Sequence, residues 1–303
     1  MNSDSPSTLI VITGPTAVGK TSLAIRLSGV FNAEILSADS RQFYREMRIG
    51  TATPSAEELM AARHHFIGHL SVRDNYNVSR FENDAITTLE QLFLDHRYAI
   101  LAGGSGLYIN AVCHGIDDLP DPDDALREQL KILFREKGIE SLRDKLKELD
   151  PGYYREVDRS NPNRLLRALE VCITTGVPYS ALRKKTSKER IFRIIKVGLS
   201  IPREELNARI DQRVDQMMDA GLLQEVMGLL PYRNQNALNT VGYKELFDYL
   251  DGKCLLDQAV GKIKTHTRRF AKRQMTWFKK DRDIQWFHPE DIRGIINYIK
   301  GIG

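Results

Sequence analysis

Residues 8–21 read TLIVITGPTAVGKT. A short apolar run, Thr8–Thr13, leads into Gly14, Pro15, Thr16, Ala17, Val18, Gly19, Lys20 and Thr21, which have the spacing G-x-x-x-x-G-K-T. This order predicts a buried strand, a glycine loop and a helix from about Gly19 to Val30. In such a P-loop, glycines let backbone N–H groups turn inward around phosphate oxygens. Lys20 offers a point charge to a terminal phosphate, the Thr21 hydroxyl is the candidate Mg2+ ligand, and the helix N-terminus adds its dipole. A bound phosphate chain is therefore expected. The loop alone leaves open whether that chain belongs to a nucleotide.

Working outward, Ala33–Ala38 reads as a second strand ending at Asp39. Residues 78–96 repeat Phe81, Ala85, Leu89, Leu92 and Phe93 at a helical period, and YAILA (98–102) is a further buried strand stopping at Gly103 and Gly104. Strands alternating with helices predict an α/β fold, a P-loop NTPase-like parallel sheet flanked by helices. An ATP hydrolase would carry a metal-holding aspartate after the YAILA strand, and here Gly103-Gly104-Ser105 follows instead. Asp39 sits at the strand edge where ligands collect in open α/β sheets. It could hold metal, accept a proton, or cap the following turn.

The pattern changes at 116–124, IDDLPDPDD, an acidic, proline-bearing connector. From Ala125 to about Ser187 only helical signals appear. Leu126, Leu130, Leu133 and Phe134 form one stripe and Leu142, Leu146 and Leu149 another, while 164–175 stops at Gly176 with Pro178 behind it. RIIKVGLSI (193–201) resumes a strand. The expected organisation is a core made of 1–115 and 193–303, interrupted by an all-helical insertion at 116–192.

With 42% apolar and 28% charged residues among 303, the composition is that of a globular protein with room for a core and a smaller second domain. Cys113, Cys172 and Cys254 are isolated, which argues against a disulfide scaffold or structural zinc site and favours a reducing cytoplasm. The start, MNSDSPSTLI, lacks a positive n-region, and no apolar stretch approaches the roughly 20 residues that span a bilayer. A cytoplasmic monomer with no membrane association is expected.

Net charge is only +4, but it is unevenly spread: residues 262–282 carry nine Lys/Arg against Asp281, and 183–196 carry seven against Glu189. Such clusters suit a polyanion or a solvated helix face. On the helix expected over 203–220, Leu206, Ile210, Arg213 and Met217 share one stripe, so a guanidinium points where apolar side chains point. It must meet an anion, either a core carboxylate or a phosphate gripped by the Arg fork. On the helix expected over 255–280, Leu256, Val260, Ile263, Thr267, Phe270, Gln274 and Phe278 line one side. Arg268, Arg269, Lys272, Arg273, Lys279 and Lys280 cover the other, a basic ramp able to follow a phosphodiester backbone.

Eight segments in order resemble the bacterial tRNA dimethylallyltransferases over nearly the whole chain. They are GPTAVGKTSLA (14–24), SADSRQFYREMRIGTATP (37–54), HHFIGH (64–69), GGSGLY (103–108), NRLLRALEV (163–171), RIDQRVDQMMDAGLLQEV (209–226), VGYKEL (241–246) and TRRFAKRQMTWF (267–278). The resemblance implies that the P-loop cradles the diphosphate of dimethylallyl diphosphate, and that the acceptor is N6 of the adenosine just 3′ of a tRNA anticodon. It makes Asp39, Ser40, Arg41 and Gln42 the adenine-reading segment, with Asp39 at the exocyclic amine, and places Ser105 and Arg213 on the donor diphosphate. Contacts to the anticodon stem-loop would come from Arg127, Asn163, Arg164, Leu165, Leu166 and Arg167. Others would come from Asn239, Thr240, Val241, Gly242, Tyr243 and Lys244, and from Lys272, Arg273 and Lys279.

On this basis Asp39, Lys20, Ser105 and Arg213 are the expected catalytic residues. Asp39 would assist N6 as a general base, while Lys20, Arg213 and Ser105 would stabilise the departing diphosphate with Mg2+ on Thr21. Two departures stand out: Ser105 replaces the usual threonine of GGTGLY, and HHFIGH lacks the aspartate common in that stretch. With three isolated cysteines, no zinc-finger extension like that of the eukaryotic relatives is expected. A small-molecule kinase would explain Lys20, Thr21 and Arg213 but not the basic helix. A nucleic-acid-binding module would explain the ramp but not Asp39 and Ser105. Transfer to free adenosine phosphate is a close variant, which the insertion and the basic helix disfavour.

Overall fold

Every residue of β1 (Thr8–Thr13) is buried, and its side chains alternate between two apolar layers. Leu9 and Val11 join one cluster with Leu36, Leu101, Phe43 and Phe81. Ile10 and Ile12 join another with Ile35, Ile100, Leu23 and Leu27. A strand with both faces covered is what a continuous apolar run specifies in a parallel sheet.

The computed structural model describes residues 6–117, 119–121, 123–184 and 187–302. Asp118 and Pro122 of the connector, Lys185 of the basic run at 183–196 and the first five residues lie outside them. Among the described residues, β1 is followed by α1 (Lys20–Phe31), β2 (Ile35–Ser37), α2 (Ala56–Ala61), β3 (His64–His65), α3 (Val78–Asp95), β4 (Tyr98–Gly103) and α4 (Gly106–His114). Then come α5 (Asp124–Leu149), α6 (Pro151–Glu156), α7 (Pro162–Thr175) and α8 (Tyr179–Leu182). The chain closes with β5 (Arg193–Leu199), α9 (Arg203–Asp219), α10 (Leu222–Gly228), α11 (Tyr243–Leu250), α12 (Leu256–Phe278), β6 (Gln285–Phe287) and α13 (Ile292–Ile302). The sheet order is β3-β2-β4-β1-β5-β6, and every pairing is parallel. Among the described residues no helix is long and apolar enough to cross a membrane.

Two compact units emerge. One comprises the chain up to Cys113 and from Glu189 onward, and the other is His114–Lys188. The helical unit has its own core of Leu130, Leu142, Leu146, Tyr153, Leu165, Leu166 and Leu169. The break between its two leucine stripes falls at Gly138, where φ of 73° interrupts α5. Lys188 N–H donates to the His114 carbonyl at 2.7 Å, so the segments leading into and out of this unit run side by side. In the other unit, Arg190 donates to the Val112 and Ala111 carbonyls and to Glu82, pinning the chain as it rejoins the sheet.

Candidate active site at the end of the sheet

The C-terminal ends of β1, β2 and β4 release three loops side by side: 14–19, the turn from Asp39, and Gly103–Ser105. They are laced together. Ala38 N–H donates to the Ala102 carbonyl at 2.8 Å and Ser105 N–H to the Ala38 carbonyl at 3.2 Å. Gly103 runs so close to β2 that a Cβ there would lie 2.3 Å from the Ala38 carbonyl oxygen. The Ser105 hydroxyl accepts from Ser40 N–H at 3.0 Å and donates to Ser40 Oγ at 3.2 Å. Ser105 thus braces the Asp39 turn.

Asp39 Oδ1 accepts from Arg41 N–H at 3.1 Å, an Asx-turn. Capping therefore occupies one oxygen, and among the described residues the side chain has no other hydrogen bond. Gln42 accepts from the Ser37 hydroxyl and donates to the Thr51 and Ala52 carbonyls, holding the loop opposite. Glu225 fixes that loop from the far side by accepting from Ile49 N–H, Gly50 N–H and the Tyr243 hydroxyl. HHFIGH and the Leu70 that follows it brace the same region: Gly68 N–H donates to the Gln42 carbonyl and Leu70 N–H to the Phe43 carbonyl, both at 2.9 Å.

In the P-loop, Ala17 has φ of 65°, a left-handed conformation that the loop imposes on a non-glycine residue. Lys20 Nζ donates to the Gly14 and Pro15 carbonyls at 3.1 and 2.8 Å. Burial brings the Lys20 ammonium down to about 8, against an upward pull from Asp39 and a further downward push from Arg213. The Arg213 side chain makes no hydrogen bond or ion pair among the described residues. Its burial lowers the guanidinium from its ordinary range, partly offset by Asp39 and Glu58. Of the two readings open from sequence, the core salt bridge is absent. A buried cation only partly offset and with no hydrogen-bonded side-chain partner is suited to meet an incoming anion.

Two cavities adjoin here. One of about 550 Å³ contains the P-loop residues Gly19, Lys20 and Thr21. A larger one, about 1240 Å³, runs past Ser40, Arg41, Ser105 and Asn239–Gly242 to the flank of α12. Thr16, Asp39, Thr51, Ala52, Arg213 and Met217 line both. Ser105 faces the larger cavity and is not among the residues lining the P-loop side.

Helix α12 supplies a residue that the sequence placed but did not explain. Gln274 is 6% exposed. Its Oε1 accepts from Thr16 N–H and its Nε2 donates to the Gly104 carbonyl, both at 2.9 Å. An amide on an otherwise apolar stripe signals such a bridge, since it cannot be buried unpaired. The final glycine of GGSG has a related cause: a Cβ at Gly106 would stand 2.3 Å from the Trp277 indole.

Other expectations need correction. Leu165 and Leu166 are buried in the helical unit's core, so they pack α7 rather than touch a partner. Within that segment Asn163 and Arg164 are exposed, whereas Arg167 pairs with Glu170 at 2.8 Å and donates to the Pro120 carbonyl; Arg127 is half-buried on α5. Tyr243 is fully buried and Gly242 is buried too, leaving Asn239, Thr240, Val241 and Lys244 accessible. The basic ramp is interrupted. Arg268 pairs with Asp211 at 2.7 Å, and Lys264 pairs with Asp215 at 2.7 Å, both on α9. Arg269, Lys272, Arg273, Lys279 and Lys280 stay exposed. Phe270, expected on the helix side with the apolar residues, is 40% exposed.

The family model described as IPP transferase matches residues 42–281. The chain belongs to the IPP transferase family. It is 50% identical over 293 residues to tRNA dimethylallyltransferase 1 of Bacteroides thetaiotaomicron, covering 97% of this chain and 95% of that one. It is 52% identical over 293 residues to a Christiangramia forsetii tRNA dimethylallyltransferase, covering 96% and 97%. The crystal structure of a tRNA isopentenylpyrophosphate transferase from Bacillus halodurans superposes with a TM-score of 0.71 at 36% identity, covering 97% of this chain and 96% of that chain. A eukaryotic dimethylallyltransferase captured acting on tRNA superposes with a TM-score of 0.78 at 27% identity, covering 97% and 80%. The fold is thus that of the IPP transferases.

For Mg2+ the fit rests on donor chemistry. Among the described residues no three His, Cys, Asp or Glu side chains cluster. The Thr21 hydroxyl makes no hydrogen bond among them, and Asp39 lines the same cavity. One or two hard oxygens completed by phosphate oxygens and water is how Mg2+ is held. The residues fit.

Proposed function

We propose that this chain, as a cytoplasmic monomer, transfers the dimethylallyl group of dimethylallyl diphosphate to N6 of the adenosine 3′-adjacent to a tRNA anticodon, releasing diphosphate. The carrying observation is that Asp39 and Arg213 line both the P-loop cavity and the larger one. A diphosphate on the loop and a base in the larger cavity would meet between them.

Adenine N6 is a weak nucleophile because its lone pair is delocalised into the ring. As the N6–C1 bond forms and the C1–O bond breaks, Asp39 takes the N6 proton through the oxygen its Asx-turn does not use, worth about 10²–10⁴-fold. Negative charge moves onto the leaving diphosphate, where Lys20, Arg213 and the loop N–H groups stabilise it without reorganising. The Thr21 hydroxyl would hold Mg2+, which when bound would supply further charge neutralisation for the leaving diphosphate. Ser105 acts through Ser40 by fixing the turn that aims Asp39. The base leaves its stack at a cost of a few kcal/mol, least in an already single-stranded loop. Asn163, Arg164, Arg127, Lys244, Lys272, Arg273 and Lys279 are the cations and amides offered to the stem-loop.

Incubation with labelled dimethylallyl diphosphate, Mg2+ and unmodified tRNA, followed by nuclease mapping, tests this. Label on N6 of that adenosine with stoichiometric diphosphate release supports it. Phosphoryl transfer from ATP to a small acceptor, with RNA unlabelled, overturns it.

A further inference from the structure

Helix α12 turns an aromatic stripe toward the larger cavity. Phe270 is 40% and Trp277 41% exposed, and neither belongs to any of the apolar clusters. His266 lies one turn before Phe270 and Arg273 one turn after it. At 100° per residue the four positions fall within about 60° of one another, and all four line the cavity.

The stripe is held in shape. His266 Nδ1 lies 2.5 Å from Glu245 Oε1, and Glu245 is 5% exposed. Because an ionised carboxylate only accepts, Nδ1 carries the proton and Nε2 is the ring's remaining polar atom. The other Glu245 oxygen accepts from Gly242 N–H at 2.8 Å, which ties the ring to the start of α11. The Arg273 guanidinium stands 5.8 Å from the Phe270 ring centroid. Lys262 and Arg269 flank the stripe on the same cavity wall.

Flat π-faces left half exposed between cations match one ligand chemistry: unpaired bases joined by phosphates. We infer that His266, Phe270, Arg273 and Trp277 form a stacking platform for unpaired acceptor-RNA bases that flank the target adenosine. The platform rests on the transfer to tRNA proposed above and adds to it a surface for the neighbouring nucleotides. Its Trp277 end abuts Gly106, beside the loop that braces Asp39. Its His266 end is linked through Glu245 to the Gly242 N–H. The four positions span about 16 Å of helix, room for about four bases at about 3.4 Å each.

The test uses an anticodon stem-loop RNA carrying 2-aminopurine next to the target adenosine, with the full-length protein and its Phe270→Leu and Phe270→Trp variants. Leucine keeps apolar bulk and removes the π-face, and no charge changes. The wild type should quench the fluorophore on binding. Phe270→Leu should lose the quenching and bind the RNA about 10-fold more weakly, with the donor KM unchanged and the slope of affinity against salt unchanged. Phe270→Trp should restore both quenching and affinity. Quenching and affinity in Phe270→Leu equal to wild type, or an altered salt slope, overturns the platform while wild-type transfer stands. Wild-type protein that labels no RNA overturns the transferase reading and the platform with it.

Discussion

Gln274 on α12 accepts from the Thr16 N–H at 2.9 Å, joining a helix near the C-terminus to the first turn of the P-loop. With its second bond to the Gly104 carbonyl, this one side chain sets the spacing between the donor loop and the β4 loop. A Gln274→Leu variant keeps the volume and orphans both backbone groups. It should lose about 2–4 kcal/mol of stability, raise the donor KM about tenfold and leave RNA affinity little changed. Urea melts and steady-state kinetics with each substrate varied check this; an unchanged donor KM would separate Gln274 from the loop.

Lys20 produces two opposing pH trends. Its ammonium is brought down to about 8, so above that pH the free protein loses the charge that meets the diphosphate. Donor kcat/KM should fall as pH rises through about 8, whereas kcat at saturating donor should hold to higher pH because bound diphosphate retains the proton. Stability goes the other way. The unfolded chain binds more protons between about 8 and the ordinary 10.5, so the Lys20 contribution to folding improves as pH climbs through that window. Lys20→Met should flatten both trends.

Arg213 has a position without a partner among the described residues. Arg213→Ala should cut transfer by about 10²–10³-fold while Tm stays level or rises, since a desolvated cation is removed. A marked loss of Tm would return Arg213 to a structural role.

Asp39 combines a turn with a chemical task, and Asn separates them. Asp39→Asn keeps an oxygen for the Arg41 N–H and removes the base. Turnover should drop about 10²–10⁴-fold with donor affinity and circular dichroism preserved. Equal loss of turnover and donor affinity would instead assign Asp39 to diphosphate or metal binding.

Gly103→Ala places a Cβ against backbone, 2.3 Å from the Ala38 carbonyl oxygen. Backbone cannot rotate away, so β2 and β4 must part. A destabilisation of about 3 kcal/mol and a drop in turnover are expected, measurable by thermal melts and single-turnover transfer.

The strands legible from the sequence are β1, β4 and β5, whose apolar runs are long enough to be covered on both faces, and β2, whose Ile35–Ser37 lies within the expected 33–38. The short edge strands β3 and β6, two and three residues long, carry no such run and went unseen. Lys20, Thr21, Asp39 and Arg213 were legible because each breaks a local pattern that physics otherwise enforces. Glu225 and the Glu245–His266 pair were not, because Glu225 meets partners 18 to 176 positions away, Glu245 and His266 lie 21 apart, and no periodicity marks them. Phe270 was misplaced for a related reason. Helical phase puts it beside the buried stripe, and only the cavity decides that it faces outward.

The sheet's middle strand has a consequence for synthesis. β1 pairs with β4 on one side and with β5 on the other, yet β5 is translated only after the whole of the helical unit. Until Leu199 has cleared the ribosome, one edge of β1 stays open to any other extended segment. The intervening residues, with a core of their own, can settle first. During its manufacture this enzyme's most protected strand is for a time its most vulnerable.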